Sequence, residues 1–399
     1  MDLVQNPFSP GAGTPPPALV GRQAILSQAE IALARLKLGR SEKSALLVGL
    51  RGVGKTVLLR TISDWAEEHD YHSIFAEVPE DAQLSHLIIP PLRESLLKLD
   101  RIAGFNTTVK RAMRVLRSFL GKVKVGNEDF TVSLDIEPEI GAADSGDLNF
   151  DLPNLFTAIA EAAAARNTAI ALVIDEMQYL QEKEFAALIR AIHAVAQKQL
   201  PLVLIGAGLP QLVGLAGRAK SYAERLFNFP EVGPLADNDA REALRKPVRD
   251  QKVDINSEAL KEIVHLTKGY PYFLQEWGYE AWNYAAKSPI TLADVKAVTP
   301  QVISKLDQNF FRVRFDRLTP SEKRYLRAMA QLGPGPHRSG DIANLLRVKV
   351  QSVAPVRSGL IQKGMVYSPA HGDTAFTVPL FDEFMRRSMP KEIIAKGNR

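Results

Sequence analysis

The chain has 399 residues, 46% hydrophobic and 24% charged, enough length for two or three globular units with cores of their own. It contains no cysteine, which excludes disulfides, cysteine nucleophiles and cysteine-ligated zinc or iron and agrees with a cytoplasmic address. The net charge of +5 is uneven: from Arg317 onward fourteen Lys/Arg stand against six Asp/Glu, so the basic character belongs to the C-terminal end.

In chain order, the opening "MDLVQNPFSPGAGTPPPALVGRQ" lacks the basic and apolar regions of a signal peptide, and residues 1–20 read as a tethering arm. Residues 22–38 predict a helix, "SALLVGL" a first strand, and 56–68 the helix that receives the loop between them. "HSIFAEVP" predicts a second strand, followed by helices at about 81–100 and 108–120. The second of these carries Lys110, Arg111, Arg114 and Arg117 opposite an apolar stripe, most simply a solvated face. "VKVGNEDFTVSLDIEPEI" alternates around Gly126-Asn127 as a hairpin does, and the polar "GAADSGDLNFDLP" after it reads as a mobile loop.

Then come a helix at 155–165, the apolar strand "AIALVIDEM", a helix at 182–197, the strand "LPLVLIGA", helical turns, and "RLFNFPEV" as a last strand. The nearly uncharged stretch 200–217 approaches membrane-spanning length, but its prolines, glycines and Gln211 break it into strand, turn and short helix, so no membrane association is expected. Apolar strands alternating with helices predict an α/β fold with a parallel sheet covered on both faces. The expected boundaries are a nucleotide-binding core at 21–232 with a hairpin insertion near 121–152, a helical lid at 233–311, a winged helix at 312–390 and a tail at 391–399.

Two motifs carry chemistry. "GLRGVGKTV" satisfies G-x-x-x-x-G-K-[ST] through Gly49, Gly54, Lys55 and Thr56, with Arg51, Gly52, Val53 and Val57 completing the loop and its exit. A glycine loop between strand and helix turns backbone N–H groups on phosphates; Lys55 would bridge the β- and γ-phosphates of ATP and Thr56 would ligate Mg2+. "ALVIDEMQYL" places Asp175 and Glu176 at the carboxyl end of a buried strand, where parallel sheets bind ligands: Asp175 for the magnesium's water shell, Glu176 to polarise the attacking water. Without the loop, an Asp-Glu pair there would more simply cap a helix.

Together with "VGRQ" upstream and the helical lid, these residues resemble the AAA+ ATPases, especially the origin-recognition clade and the related STAND signalling NTPases, over about 6–387. The layout is also similar to that of a set of bacterial ATP-binding proteins. The resemblance implies a P-loop NTPase sandwich, a helical lid and a C-terminal winged helix.

The departures from the family pattern matter as much. After "LPLVLIGA" the origin-type proteins place an Asn, Ser or Thr that touches the γ-phosphate; Ala207, Gly208, Leu209 and Pro210 offer none, and Gln211 is the nearest polar residue. Where their lid has an arginine, this chain has Tyr272. Gly269-Tyr270-Pro271 resembles the STAND Gly-x-Pro, whose proline packs on the nucleotide base, although a proline starting a helix explains it equally. The STAND histidine is replaced by Pro379. Two missing sensors imply slow hydrolysis. The resemblance also implies an arginine finger at Arg225, with Arg218 as fallback, reaching a neighbouring subunit of a homo-oligomer; a surface arginine fits Arg225 as well.

Near the C-terminal end, "SGDIANLLR" and "VKVQSVAPVRSGLIQKG" fit a helix-turn-helix in which Ser352 caps the second helix and "VYSPAHGDTAFTV" forms a wing. Arg347, Lys349, Arg357 and Lys363 would meet double-stranded DNA phosphates, with Gln351, Ser352 and Arg357 at base edges. The same unit can serve instead as a wedge against a protein partner. The expectation is an ATP-binding, slowly hydrolysing ATPase switch that docks on DNA, or its counterpart that docks on protein.

Overall fold

A computed structural model describes residues 1–11, 13–80, 83–101, 107–121 and 136–390. The apolar runs that leave no polar face become the central strands, as burial on both sides demands. The strands are β1 (Ser44–Val48), β2 (His72–Glu77), β3 (Ile170–Asp175), β4 (Leu202–Gly208) and the short β5 (Phe227–Asn228). All pair in parallel in the order β2-β3-β4-β1-β5. β4 therefore lies between the strand that feeds the glycine loop and the strand that ends in Asp175.

Alternate residues of each strand serve opposite faces. Leu47, Val173 and Ile205 pack under α1 (Gln23–Lys37) and α2 (Lys55–Glu68). Leu46, Leu172, Ile174 and Leu204 pack under α3 (Leu84–Arg101), α4 (Thr107–Leu120), α5 (Leu148–Ala164), α6 (Glu182–Gln197) and α7 (Gln211–Ala219). Each such fully buried Leu or Ile contributes about 1.5–3 kcal/mol from burial, which holds the loops at the sheet's carboxyl edge to a rigid base. The short α8 (Ala223–Leu226) precedes β5. Among the described residues no helix is long and apolar enough to cross a membrane.

Beyond the sheet come α9 (Asp237–Asp250), α10 (Ser257–Thr267), α11 (Pro271–Tyr284) and α12 (Leu292–Lys305). A π-helical segment, Leu306–Phe311, follows and runs without a break into α13 (Arg312–Asp316). The C-terminal unit comprises α14 (Pro320–Leu332), α15 (Ser339–Leu346), α16 (Val350–Gln362) and α17 (Phe381–Ser388). It also carries an antiparallel sheet β6-β8-β7, from β6 (His337–Arg338), β7 (Val366–Tyr367) and β8 (Asp373–Phe376).

Several expectations need correction. The boundary at 311/312 falls inside continuous helix, because 301–316 holds no glycine or proline to end one. Phe311, Phe315, Phe381 and Phe384 join the lid and the C-terminal unit in one apolar core. The polar stretch read as a mobile loop contains the start of α5: Asp147 caps it by accepting from the Asn149 N–H at 2.9 Å, and Asp151 accepts from Ser145 and Gly146. Residues 148–152 thus belong to the core, not to an insertion. Of the expected hairpin, 122–135 lies outside the described residues, and 136–140 forms no strand. Finally, α16 starts at Val350 with Lys349 at the cap, so Ser352 is already inside the helix and does not cap it.

Candidate nucleotide-binding site

The glycine loop sits where β1 ends. A Cβ on Gly49 would lie 2.1 Å from the Val232 carbonyl oxygen, so no other residue fits there. Gly54 caps α2 at φ +91°, a left-handed geometry that favours glycine, and a Cβ there would meet nothing within 4 Å. The loop therefore curls around open space at the N-terminus of a 14-residue helix, whose unpaired N–H groups and positive dipole end suit a phosphate.

Lys55 is buried and bridges the loop's own carbonyls, donating to Gly49 O at 2.9 Å and Leu50 O at 2.8 Å. Burial pushes its ammonium down to about 8; Glu176 and Asp175 pull it up, and Arg51 opposes them. The Thr56 hydroxyl donates to Asp175 Oδ2 at 2.6 Å. Asp175 is 1% exposed, and burial raises its carboxyl against the lowering effect of Thr56. A hydroxyl and a carboxylate in contact beneath a phosphate cradle are oxygen donors suited to Mg2+, which takes few protein ligands and fills its sphere with water and phosphate oxygens. The residues present therefore fit Mg2+ and a nucleotide triphosphate.

Glu176 takes the left-handed conformation at φ +55°, pinned by its own N–H donating to Asp175 Oδ1 at 2.8 Å. Its carboxylate accepts from the Gln178 amide and lies 3.6 Å from Arg51 Nη1. Gln178 Oε1 in turn accepts from the Leu209 N–H at 3.0 Å. The carboxyl end of β4, which carries no polar side chain of its own, is thus served from the turn after β3. Gln211 does not take this place: its Oε1 is buried without a partner among the described residues.

Three other segments close on the loop. Arg22, nearly buried, donates to Val53 O at 3.2 Å and Gly233 O at 2.5 Å, so it ties the loop to the start of the lid. The Tyr272 N–H donates to Gly52 O at 3.2 Å. The Arg51 N–H donates to Thr377 O at 3.0 Å, which stitches the loop to the C-terminal unit, while Arg51 Nη2 donates to the Tyr179 hydroxyl at 2.7 Å.

The resulting cavity, of about 390 Å³, lies within the range of small-molecule sites and is lined by Gly52, Gly54, Lys55, Thr56, Glu176 and Pro271 among others. Pro271 opens α11 and also reaches the cavity wall, so both readings of the Gly-x-Pro agree with its position. Arg314, which no sequence motif marked, enters the same cavity from α13. Its guanidinium donates to Phe310 O at 2.6 Å and stacks 4.2 Å from the Phe310 ring. Burial, then the nearby Arg51, hold it down to about 10, and among the described residues it has no carboxylate partner. An anion would relieve both effects.

The remaining expected residues scatter. Arg225 is exposed on α8 with no ion pair among the described residues, whereas Arg218 lies 3.5 Å from Glu182. Arg347, Lys349, Gln351 and Ser352 are exposed together at the turn into α16. Arg357 is engaged internally, donating to Thr374 Oγ1, Ser368 Oγ and Asp373 O at 2.7 Å each. Lys363 donates to Glu322 at 2.8 Å and lines a second cavity, of about 340 Å³, with Arg51, Glu176 and Arg317. Neither of these two cations presents itself outward, because the helix phase that buries Leu360 turns them toward the strands and α14.

Residues 18–205 match the AAA ATPase domain family, and residues 308–385 match a domain of unknown function, DUF8462. No curated protein matches the chain. Among solved structures, the fold is similar to the Walker-type ATPase PABY2304 of Pyrococcus abyssi, with 18% identity, a TM-score of 0.59, and coverage of 92% of this chain and 96% of that one. The RuvB Holliday junction branch migration motor of Thermotoga maritima matches at 16% identity and TM-score 0.44, covering 89% and 92% of the two chains. The Orc1 protein of Aeropyrum pernix, solved in complex with DNA, matches at 16% and 0.44, covering 93% of each.

Proposed function

We propose that this chain, whose residues 18–205 match the AAA ATPase domain family, is a P-loop ATPase that binds Mg2+-ATP in the cavity above Lys55 and works as a slow, nucleotide-controlled switch. The observation that carries this reading is the contact of Thr56 with Asp175 at 2.6 Å beneath a glycine cradle that Lys55 closes from below. Lys55 exchanges its two loop carbonyls for phosphate oxygens, a stronger charge-assisted pairing. Bound Mg2+ supplies charge neutralisation at the phosphates, held through Thr56 and Asp175. Glu176 orients the attacking water once its carboxylate leaves Gln178 and Arg51, and the need to break those contacts supports slow turnover.

The output of the switch is the C-terminal unit, read as a winged helix with α15 and α16 as its helix pair and the β7–β8 hairpin as its wing. It docks on double-stranded DNA through the turn into α16, where Arg347 and Lys349 meet phosphates and Gln351 and Ser352 face the bases. Two phosphate contacts would give a salt slope near −1.8, about −0.9 for each. Mobility shifts of random duplex across a salt series, with and without ATP, test this. A slope that softens by about one unit in Lys349→Ala supports DNA docking; no shift at low salt in either nucleotide state refutes it.

A second reading has its own observation. Val348 and Val350, 41% and 49% exposed, flank Lys349 at the same tip, and paired exposed apolar residues favour a protein partner. On that reading Val350→Asp releases the partner and leaves nucleotide binding unchanged. In either case Arg225, exposed on α8, is the candidate finger toward a second copy of the chain, with a plain surface arginine as the alternative and Arg218 as the fallback.

A further inference from the structure

The opening residues, read from the sequence as a tethering arm, are packed against the lid. Phe8 is 3% exposed within the apolar core of the lid, and its ring fills the space a side chain on Gly278 would need: a Cβ there would come within 2.7 Å of it. Around it the Asn6 amide donates to Tyr279 O at 3.0 Å and Asn283 Oδ1 at 2.8 Å. Trp282 Nε1 donates to Asp2 O at 2.8 Å, and the Ser9 N–H to Gln275 Oε1 at 3.3 Å. All of these partners lie on α11, the helix that Pro271 begins beside the glycine loop.

The arm's other end is fixed to the core. Ala18 is buried, Leu19 packs on the apolar cluster under α1 and α2, and Arg22 makes the two bonds to Val53 and Gly233. Between these anchors Ser9, Pro10, Gly11, Gly13, Thr14 and Pro16 line the nucleotide cavity. Gly13 comes closest to the chemistry: a Cβ on it would lie 3.3 Å from Thr56 Cγ2.

The geometry points to a strap. We propose that this N-terminal segment closes the nucleotide cavity by bridging lid and core over it, so that release of nucleotide requires Phe8 to leave its seat beside Gly278. Prolines suit the span, because their fixed backbone lowers the entropy lost on closing and they ask for no hydrogen bonds across the opening. The proposal rests on the nucleotide reading above and adds to it the element that sets residence time.

The test is release of a fluorescent ATP analogue from the full-length chain, followed by stopped flow in the wild type and in Phe8→Ala. The strap predicts release faster by about tenfold or more with association little changed, as affinity differences within one site usually appear in the off-rate. A wild-type off-rate in the variant overturns the strap while leaving the nucleotide site standing; failure of the wild type to bind the analogue overturns both. Should Phe8→Ala unfold the lid, hydrogen exchange on the wild type decides. Slower exchange over 9–20 on adding Mg2+-ATP supports the strap, and unchanged exchange overturns it.

Discussion

Arg51 holds Glu176 with its side chain, Nη1 to Oε1 at 3.6 Å, while its backbone N–H is bonded to Thr377 O at 3.0 Å in the C-terminal unit. One residue of the glycine loop therefore touches both the carboxylate proposed to orient water and the unit proposed to carry the output. Any nucleotide that moves Arg51 disturbs both. On the proposed reading, the loop itself would couple the nucleotide to both.

Glu176→Gln should stop hydrolysis while leaving Mg2+-ATP binding intact, since the change keeps shape and removes only the basic oxygen. The wild type should itself turn over well below the enzyme median of about 10 s⁻¹. Phosphate release assays with parallel calorimetric titration check both. A fast wild-type rate would show that Gln178 and Arg51 do not restrain the carboxylate.

Gln178→Ala separates restraint from support. Its amide joins Glu176 to the Leu209 N–H, so its loss frees the carboxylate and leaves a backbone donor at the end of β4 without its partner. The account expects kcat to change by about tenfold with KM nearly constant, as for a group that acts on the chemical step alone. An equal change in KM would assign Gln178 to binding.

Arg314 should distinguish ATP from ADP. A half-buried cation with no carboxylate partner among the described residues gains most from the terminal phosphate, and a hydrogen bond to a charged group is worth about 1.5–3 kcal/mol, tenfold or more in affinity. Arg314→Ala should weaken ATP by that factor and leave ADP nearly unchanged in competition titrations. Equal losses for both nucleotides would place the guanidinium elsewhere.

Lys363 and Glu322 predict a pH limb in stability. Burial alone would raise the Glu322 carboxyl, but Lys363 and the Thr319 N–H and hydroxyl outweigh it and hold the carboxyl below the ordinary glutamate value of 4.5. A depressed carboxyl contributes stability in full above its unfolded value, and that contribution is lost as pH falls through the folded one. Thermal melts between about pH 6 and pH 3 should show this loss, and Glu322→Gln should flatten it. Lys363→Ala should also lower stability near neutrality; unchanged melts would mean that the pair is not formed.

The sheet and the two loop motifs were readable because they are local: an apolar strand, a glycine loop and an Asp-Glu pair each fit within a dozen residues. What escaped is long-range. Arg314 and Lys55 line one cavity though they lie on separate units, and no periodicity relates them. Gln178 stands two residues from Glu176, yet its role depends on β4 being the neighbouring strand. The DNA contacts expected of Arg357 and Lys363 rested on their charge near the helix; their actual partners, Thr374, Ser368 and Asp373 for the one and Glu322 for the other, are set by packing of the strands and α14 on that helix. Phe8 could be placed only once Gly278 showed where a side chain was missing on the lid. A single Asp at 147 decided where α5 began, against a composition that favoured loop.

The central claim is that the loop above Lys55 holds Mg2+-ATP, and a calorimetric titration of ATP with Mg2+ into the wild type and Lys55→Ala tests it most directly. Lys55 closes the cradle from below, bonded to the loop's own Gly49 O and Leu50 O where the β- and γ-phosphates would sit, so the account predicts one ATP per wild-type chain and no measurable binding by the variant. Undiminished binding by Lys55→Ala would contradict it.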